Sequence, residues 1–419
     1  LAGHSNERRK SMRVKVTERS IEEYRSLVEQ QVEEIKKLGK SLRGLKVVHI
    51  NATAYGGGVA EILQSLVPLM NSIGLKAEWR VIEAPAEFFN VTKKFHNTLQ
   101  GAEIPITEEE WKLYEDVCKA NAKLIDGDED IVVVHDPQPA AIRSLARTKV
   151  NTKWIWRCHI DLSTPNQTVW NRFSQYVKGY DRMIFHLEDY FPNNMKEKCT
   201  AFPPSIDPLS EKNFELDEAF VREILKKLEI DPQRPLITVV ARFDPWKDLF
   251  SAIDVYRLVK REVPPVQLAI VSAMALDDPE GWIFYEKVLR YAGTDEDIKF
   301  CTNLRGVGNK EVNAIQRSST VALHTATREG FGLVISEALY KRVPVVARPV
   351  GGVKIQIKHG ENGYLAWKKE ELAGYILKLM NDESLRKKMG EEGRKIVLEK
   401  FITTVNLMNY LKTFIQVLR

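Results

Sequence analysis

Lys46-Val-Val-His-Ile50 is a short apolar run without alternation, the pattern of a strand buried on both faces. Asn51-Ala-Thr-Ala-Tyr-Gly-Gly-Gly58 follows it at once, and Val59–Ile73 carries apolar residues at helical spacing. Strand, glycine loop and helix together open a doubly wound parallel α/β domain, because parallel strands need a crossover helix. A charged surface helix over residues 17–43, ending at Gly44, precedes this unit. Further strands are predicted at Ala77–Ile82, Ile131–His135, Lys153–His159 and Met183–His186, with helical segments between them.

Pro203-Pro-Ser-Ile-Asp-Pro208 then interrupts the pattern and reads as a linker. A second α/β alternation follows, with strands at Leu236–Ala241, Gln267–Ser272, Ile298–Cys301, Thr320–His324, Val343–Ala347 and Tyr364–Leu365. Its helices are predicted at Ser251–Glu262, Trp282–Ala292, Lys310–Arg317 and Leu333–Lys341, and the chain ends on Glu370–Met380, Glu383–Phe401 and Thr403–Leu418. A length of 419 residues also exceeds one ordinary core. The expectation is two Rossmann-like domains, residues 1–205 and 206–402, with a ligand site in the interdomain cleft at the carboxyl ends of the strands.

The net charge of +5 is small for this length and gives no nucleic-acid footprint. No apolar run reaches the roughly 18–20 residues of a membrane span. The basic start, Leu1 to Lys10, has no apolar signal core after it. Cys118, Cys158, Cys199 and Cys301 are scattered, which favours reduced thiols and a cytoplasmic setting. Abundant Lys, Arg and Glu are compatible with a thermophilic source.

Arg328-Glu329-Gly330-Phe331-Gly332-Leu333-Val334-Ile335-Ser336-Glu337-Ala338 is the strongest chemical signal. Free N–H groups at the helix start near Leu333 form a seat for phosphate, and the glycines let a ligand approach the backbone. A helix would hold the two glutamates roughly 12 Å apart, against about 5–5.5 Å for a retaining glycosidase pair. They suit two ends of one elongated ligand instead, sugar hydroxyls at Glu329 and ribose hydroxyls at Glu337.

Arg242-Phe-Asp-Pro-Trp-Lys247 places two cations after the first strand of the second domain, able to neutralise a departing diphosphate. Gly56-Gly57-Gly58 occupies the corresponding place in the first domain, though three glycines read equally as a tight turn. No Walker lysine follows them. His135-Asp136-Pro-Gln138-Pro139 and Arg157-Cys-His159-Ile-Asp161 end strands with polar residues, where Asp136 or a histidine could hold a sugar hydroxyl. A lone His or Asp is more often a cap, and His49 and His186 read as structural. No His/Cys spacing suits zinc.

Arg242 and Lys247 with Glu329-Gly-Phe-Gly…Glu337 resemble the donor signature of retaining GT-B glycosyltransferases. Asn51–Ile62, Glu87–Asn97, His135–Pro139, Trp156–Leu162, Pro203–Asn213 and Asp277–Trp282 narrow the resemblance to the trehalose glycosyltransferring synthase family, from about residue 40 onward. That resemblance implies transfer of glucose from an NDP-glucose, UDP- or ADP-linked among others, to glucose, giving α,α-trehalose with retention. It assigns catalysis to Glu329, Arg242, Lys247 and His159, the last near the donor's hydroxymethyl group. Donor and nucleotide contacts fall to Gly57, Gly58, Asn303, Leu304, Gly330, Phe331, Gly332, Leu333 and Glu337. Acceptor contacts fall to Gly56, Asp136, Gln138, Arg157 and His159. The last helix, 403–419, is expected to cross back onto the first domain. No cofactor or resident metal is implied, Mg2+ being at most a stimulant. Expected partners are the nucleotide-sugar and glucose or trehalose, with no nucleic acid or membrane; a homodimer is compatible.

Three positions depart from the family pattern. Asp248 stands where glycine is usual, a carboxylate near the expected diphosphate. Ser272 replaces a strand-end glycine, and His324-Thr-Ala-Thr-Arg328 precedes Glu329. The rivals are a trehalose phosphorylase of the same fold, a trehalose-phosphate or sucrose-type transferase, and a non-catalytic nucleotide-sugar-binding protein, which Asp248 encourages.

Overall fold

The computed structural model describes residues 13–55, 57–122, 125–146, 149, 151–274 and 279–419. Gly56, Asp277-Asp278 and the basic start lie outside the described residues. The chain divides into two compact units, one running to Ser205 and taking in Thr403–Arg419, the other Ile206–Ile402.

The first unit holds a six-stranded sheet of β1 (Lys46–Asn51), β2 (Lys76–Val81), β3 (Ile131–His135), β4 (Lys153–Arg157), β5 (Arg182–Phe185) and β6 (Cys199–Ala201). The order is β2-β1-β3-β4-β5-β6, every pair parallel. Strand order reverses between β1 and β3, so their carboxyl ends flank a crevice where crossover helices leave in opposite directions. Val132, Val134, Trp154 and Trp156 pack there against Phe95, Tyr114 and Phe173 from the covering helices. Thr403–Leu418 lies against the helices Arg25–Ser41 and Gly58–Ser72, with Lys412 paired to Glu34 at 2.7 Å.

The second unit repeats the plan with β7 (Leu236–Val240), β8 (Gln267–Ser272), β9 (Ile298–Thr302), β10 (Val321–His324), β11 (Val345–Ala347) and β12 (Gly363–Leu365). Its order, β12-β11-β10-β7-β8-β9, puts the reversal between β7 and β10. Ile237, Val239, Leu268 and Ile270 face the apolar sides of the helices Leu249–Glu262 and Lys369–Asn381. Gly390, in the helix Glu383–Lys400, leaves no room for a side chain: a Cβ there would lie 2.2 Å from the Arg342 carbonyl oxygen. Gly390→Ala should cost about 2 kcal/mol, read as a lower urea midpoint. An unmoved midpoint would mean that the two segments separate freely.

Several boundaries differ from the expected ones. The first helix begins as a single tight turn, Ile21–Tyr24, capped reciprocally by Ser20 and Glu23, and Val28 breaks the helical geometry after it. β6 carries Cys-Thr-Ala, without the apolar run that announces a strand. β4 and β5 stop at Arg157 and Phe185, so His159 and His186 lie just beyond their strands. The cause at β4 is specific: the His159 N–H turns to the Asp136 carboxylate, 2.7 Å away.

Candidate active site

In the second unit the expected residues meet at the topological switch point. The loop after β7 carries Arg242 to Asp248, and the loop after the adjacent β10 carries Thr325 to Gly332. Asp244 accepts from the Trp246 N–H at 2.9 Å and caps a single turn, Pro245–Lys247. That turn aims Lys247 across to Glu329, Nζ to Oε2 2.6 Å, with both side chains largely buried. His324 Nε2 lies 3.2 Å from the same oxygen. Burial would lift the Glu329 carboxyl, but the Lys247 charge and His324 outweigh it and hold it far below the usual carboxylate range. Arg242 is exposed and leans on Asp244 at 3.3 Å. The Arg328 guanidinium stands 5.4 Å from the exposed Trp246 ring.

The helix Leu333–Tyr340 starts after Gly332, whose φ of 84° suits only glycine without strain, and no side chain caps it. Its first N–H groups therefore lack the usual capping acceptor. Helical geometry begins only at Leu333, so a straight-helix span from Glu329 to Glu337 does not apply. The Phe331 ring is buried against Phe401, centroids 5.6 Å apart, which leaves its backbone to line the turn. Gln356 donates to the Phe331 carbonyl at 2.6 Å and pins that turn from beneath.

Glu337 is 3% exposed and accepts from Gln316 at 3.3 Å. One turn on, Lys341 is buried, donating to Asn213 Oδ1 at 2.8 Å. Burial brings the Lys341 ammonium down to about 7, against the pull of Glu337. Asn303 spends its amide on the Met274 backbone, 2.7 and 3.0 Å, while Leu304 beside it is exposed.

Asp248 is paired with a cation, Arg348. It adopts a left-handed conformation, φ 45° and ψ 55°, and caps the helix Leu249–Glu262. Its Oδ2 accepts from Arg348 and from the Ser251 hydroxyl, each at 2.6 Å. Burial opposes ionisation here, but these donors prevail and hold the carboxyl below its ordinary value. The charge expected near a diphosphate is met by Arg348. Ser272 ends β8 buried, its hydroxyl without a hydrogen-bond partner.

In the first unit, Gly57 (φ 84°) precedes the helix Gly58–Ser72. The strand ends hold an arrangement the sequence did not announce. His49 Nδ1 meets His135 Nε2 at 3.0 Å, His135 Nδ1 meets His159 Nε2 at 3.1 Å, and His159 Nδ1 meets His186 Nε2 at 3.2 Å. Register explains the chain: His49 lies opposite Val133, two before His135, and His135 lies opposite Arg157, two before His159. Arg157 in turn lies opposite Ile184, two before His186. A two-residue step keeps every imidazole on one face of the sheet. Burial lowers His49 to about 3 and His135 and His159 well below their ordinary value. Each neutral ring has one N–H, so the contacts run in one direction along the chain. Both ring nitrogens of His159 are already engaged.

Asp136 holds an unusual backbone, φ 67°. Burial raises its carboxyl to about 7, partly offset by the His159 N–H. This is the raised-pKa case: the folded state gains stability at low pH and loses it as pH climbs from about 4 through 7. Asp136→Asn should therefore gain stability relative to the parent between pH 5 and 8. Urea midpoints at both pH values check it, and a constant difference would contradict it.

Arg157, expected at the acceptor, is 1% exposed and donates to the Phe185 and Phe202 carbonyls at 3.1 and 2.9 Å inside the unit. Gln138, two residues after Asp136, is half-buried. Among the described residues one carboxylate cluster could hold a cation, Asp126, Asp128 and Glu129. Arg80 and Lys46 already pair with it. No described helix is long and apolar enough to cross a membrane.

Two parallel sheets, and a lysine–glutamate pair at the switch point of the second, define a glycosyltransferase of the GT-B class. A UDP-forming α,α-trehalose-phosphate synthase from Burkholderia xenovorans superposes with a TM-score of 0.69 at 17% identity, covering 90% of this chain and 99% of that one. The family profile "Trehalose synthase, N-terminal domain" matches residues 49–192, and "Glycosyl transferases group 1" matches 220–396. The trehalose synthase of Pyrococcus horikoshii is 49% identical over 397 residues, 94% of this chain and 95% of its own. A trehalose phosphorylase of Pleurotus pulmonarius is more distant, 28% identical over 93% of this chain and 60% of that protein. The chain belongs to the trehalose synthase family of glycosyltransferases.

Proposed function

We propose that the protein transfers glucose from an NDP-glucose to glucose, forming α,α-trehalose and NDP with the donor's anomeric configuration retained. The observation that supports it most is the Lys247–Glu329 pair at the β7/β10 switch point, beside an uncapped helix start. The diphosphate would take the charge of Lys247 and Arg242 and the first N–H groups of the helix Leu333–Tyr340. Glu329, kept ionised by Lys247 and His324, would accept from hydroxyls of the donor glucose. Glu337 is assigned the ribose and Leu304 a border of the base. The acceptor hydroxyl attacks the anomeric carbon on the face the diphosphate leaves. The C–O bond to phosphate breaks, and the acceptor's proton passes to the leaving oxygen. No protein nucleophile and no cofactor enter this scheme. Asp136, Gln138 and the Gly57–Gly58 turn are assigned to sugar on the side of the first unit. His159 would reach the donor's hydroxymethyl group only by yielding a bond to His135 or His186.

Incubation with a panel of NDP-glucoses and glucose tests the reading, with the disaccharide and its linkage identified. α,α-Trehalose formed with release of NDP is the expected result. Trehalose cleavage that runs with inorganic phosphate and not with NDP would replace this reading by a phosphorylase. NDP binding without transfer would make the protein a binding module.

A further inference from the structure

Three strand-end loops converge on Asp248. It ends the β7 loop that carries Arg242 and Lys247. Arg348, which follows β11, spans from Asp248 to the Thr325 carbonyl, Nη1 at 2.6 and 2.7 Å, and its other arm reaches the Ser251 hydroxyl at 2.9 Å. Thr325 opens the β10 loop that carries Glu329. Its hydroxyl lies 3.1 Å from the Lys247 carbonyl and 3.0 Å from that of Asp248. Two residues on, the Thr327 N–H donates to the Trp246 carbonyl at 2.8 Å.

We propose, resting on the glucosyltransfer reading above, that Asp248 is a positioning residue whose pairing with Arg348 latches the lysine-bearing loop to the glutamate-bearing loop. A left-handed backbone is ordinarily given to glycine, and a residue with a side chain holds it only when its surroundings compensate. Here the compensation is a buried guanidinium and a helix cap. Glycine at this position would keep the backbone and lose the connection. The latch sets the register of two loops that face each other across the switch point, so that Lys247 Nζ meets Glu329 Oε2. It also meets the carboxylate's charge with a guanidinium. Asp248 touches no substrate in this account; it acts through the loops.

The test uses the full chain with Asp248→Gly, Asp248→Asn and Arg348→Met, and reads two quantities. The first is hydrogen exchange at the Thr327 amide, which needs no substrate. The second is the KM for NDP-glucose against the KM for glucose. Asp248→Gly and Arg348→Met should speed Thr327 exchange by about 10-fold or more. They should raise the donor KM about 10-fold, with the glucose KM unchanged. Asp248→Asn has one acceptor oxygen for the two roles that Oδ1, capping through the Ser251 N–H, and Oδ2, taking Arg348, now divide, so it should recover only part of both. Adding Asp248→Gly to Arg348→Met should do no further harm, since both sever one connection. If Arg348→Met fails to fold, Asp248→Gly, which suits the backbone, carries the decision. Unchanged Thr327 exchange in Asp248→Gly would overturn the latch. So would faster exchange with an unchanged donor KM, or a loss of kcat that leaves both KM values alone. Should the parent protein not turn over NDP-glucose, the functional reading falls, and Thr327 exchange still decides whether the loops are latched.

Discussion

Glu329→Gln is expected to slow glucosyl transfer severely while nucleoside diphosphate binding survives. The change keeps the shape and removes the charge that Lys247 and His324 share. A carboxylate buried beside a lysine and held ionised is prepared to accept strong hydrogen bonds from sugar hydroxyls as positive charge develops at the anomeric carbon. An amide there accepts weakly and offers Lys247 no counter-charge. By analogy with the loss of one preorganised electrostatic contact, kcat should fall about 10²- to 10³-fold. The diphosphate, held by cations and backbone N–H groups, should bind within about 3-fold of the parent. Steady-state kinetics and calorimetric titration with NDP check the two halves separately. Full activity in Glu329→Gln would remove the residue from the site.

Lys247→Met should weaken both binding and turnover, because its charge serves the ligand and Glu329 together. Truncating one member of a buried pair is costly mainly through the charge left behind, about 3–5 kcal/mol in comparable cases. A pH signature separates this from simple loss of a phosphate contact. In the parent, Glu329 is far below its ordinary range, so no activity limb from it falls near neutrality. Without Lys247, burial dominates and the carboxyl rises. The variant's residual activity should then drop more steeply than the parent's as pH falls through the mildly acidic range. A parallel profile for both proteins would contradict the coupling.

Much of the fold was legible because the sequence writes it locally. Buried strands such as Ile131–His135 are continuous apolar runs, and the helices between them repeat at helical spacing. The candidate site was legible for a related reason. Lys247 and Glu329 each follow a strand, and strand order then brings those two loops side by side, although 82 residues separate them. What stayed hidden depends on register or on the direction of a side chain. The histidine staircase needs the two-residue offsets between β1, β3, β4 and β5, which no single strand encodes. Arg157 follows a strand pattern outward but points into the unit, and Phe331 sits in the glycine-bearing turn with its ring in the core. Asp248 looked like a misplaced charge because its partner, Arg348, is 100 residues away. His324 was read as a departure, yet it supplies the third member of the Glu329 cluster.

On the proposed reading, one sugar-nucleotide seats at the β7/β10 switch point, with its diphosphate at the start of the helix Leu333–Tyr340. A crystal structure of Glu329→Gln with NDP-glucose tests it most directly. Diphosphate oxygens should lie within hydrogen-bond distance of Lys247 Nζ and of the Leu333 amide, with the glucose against position 329. A nucleotide bound elsewhere, or a diphosphate remote from Lys247, would contradict it.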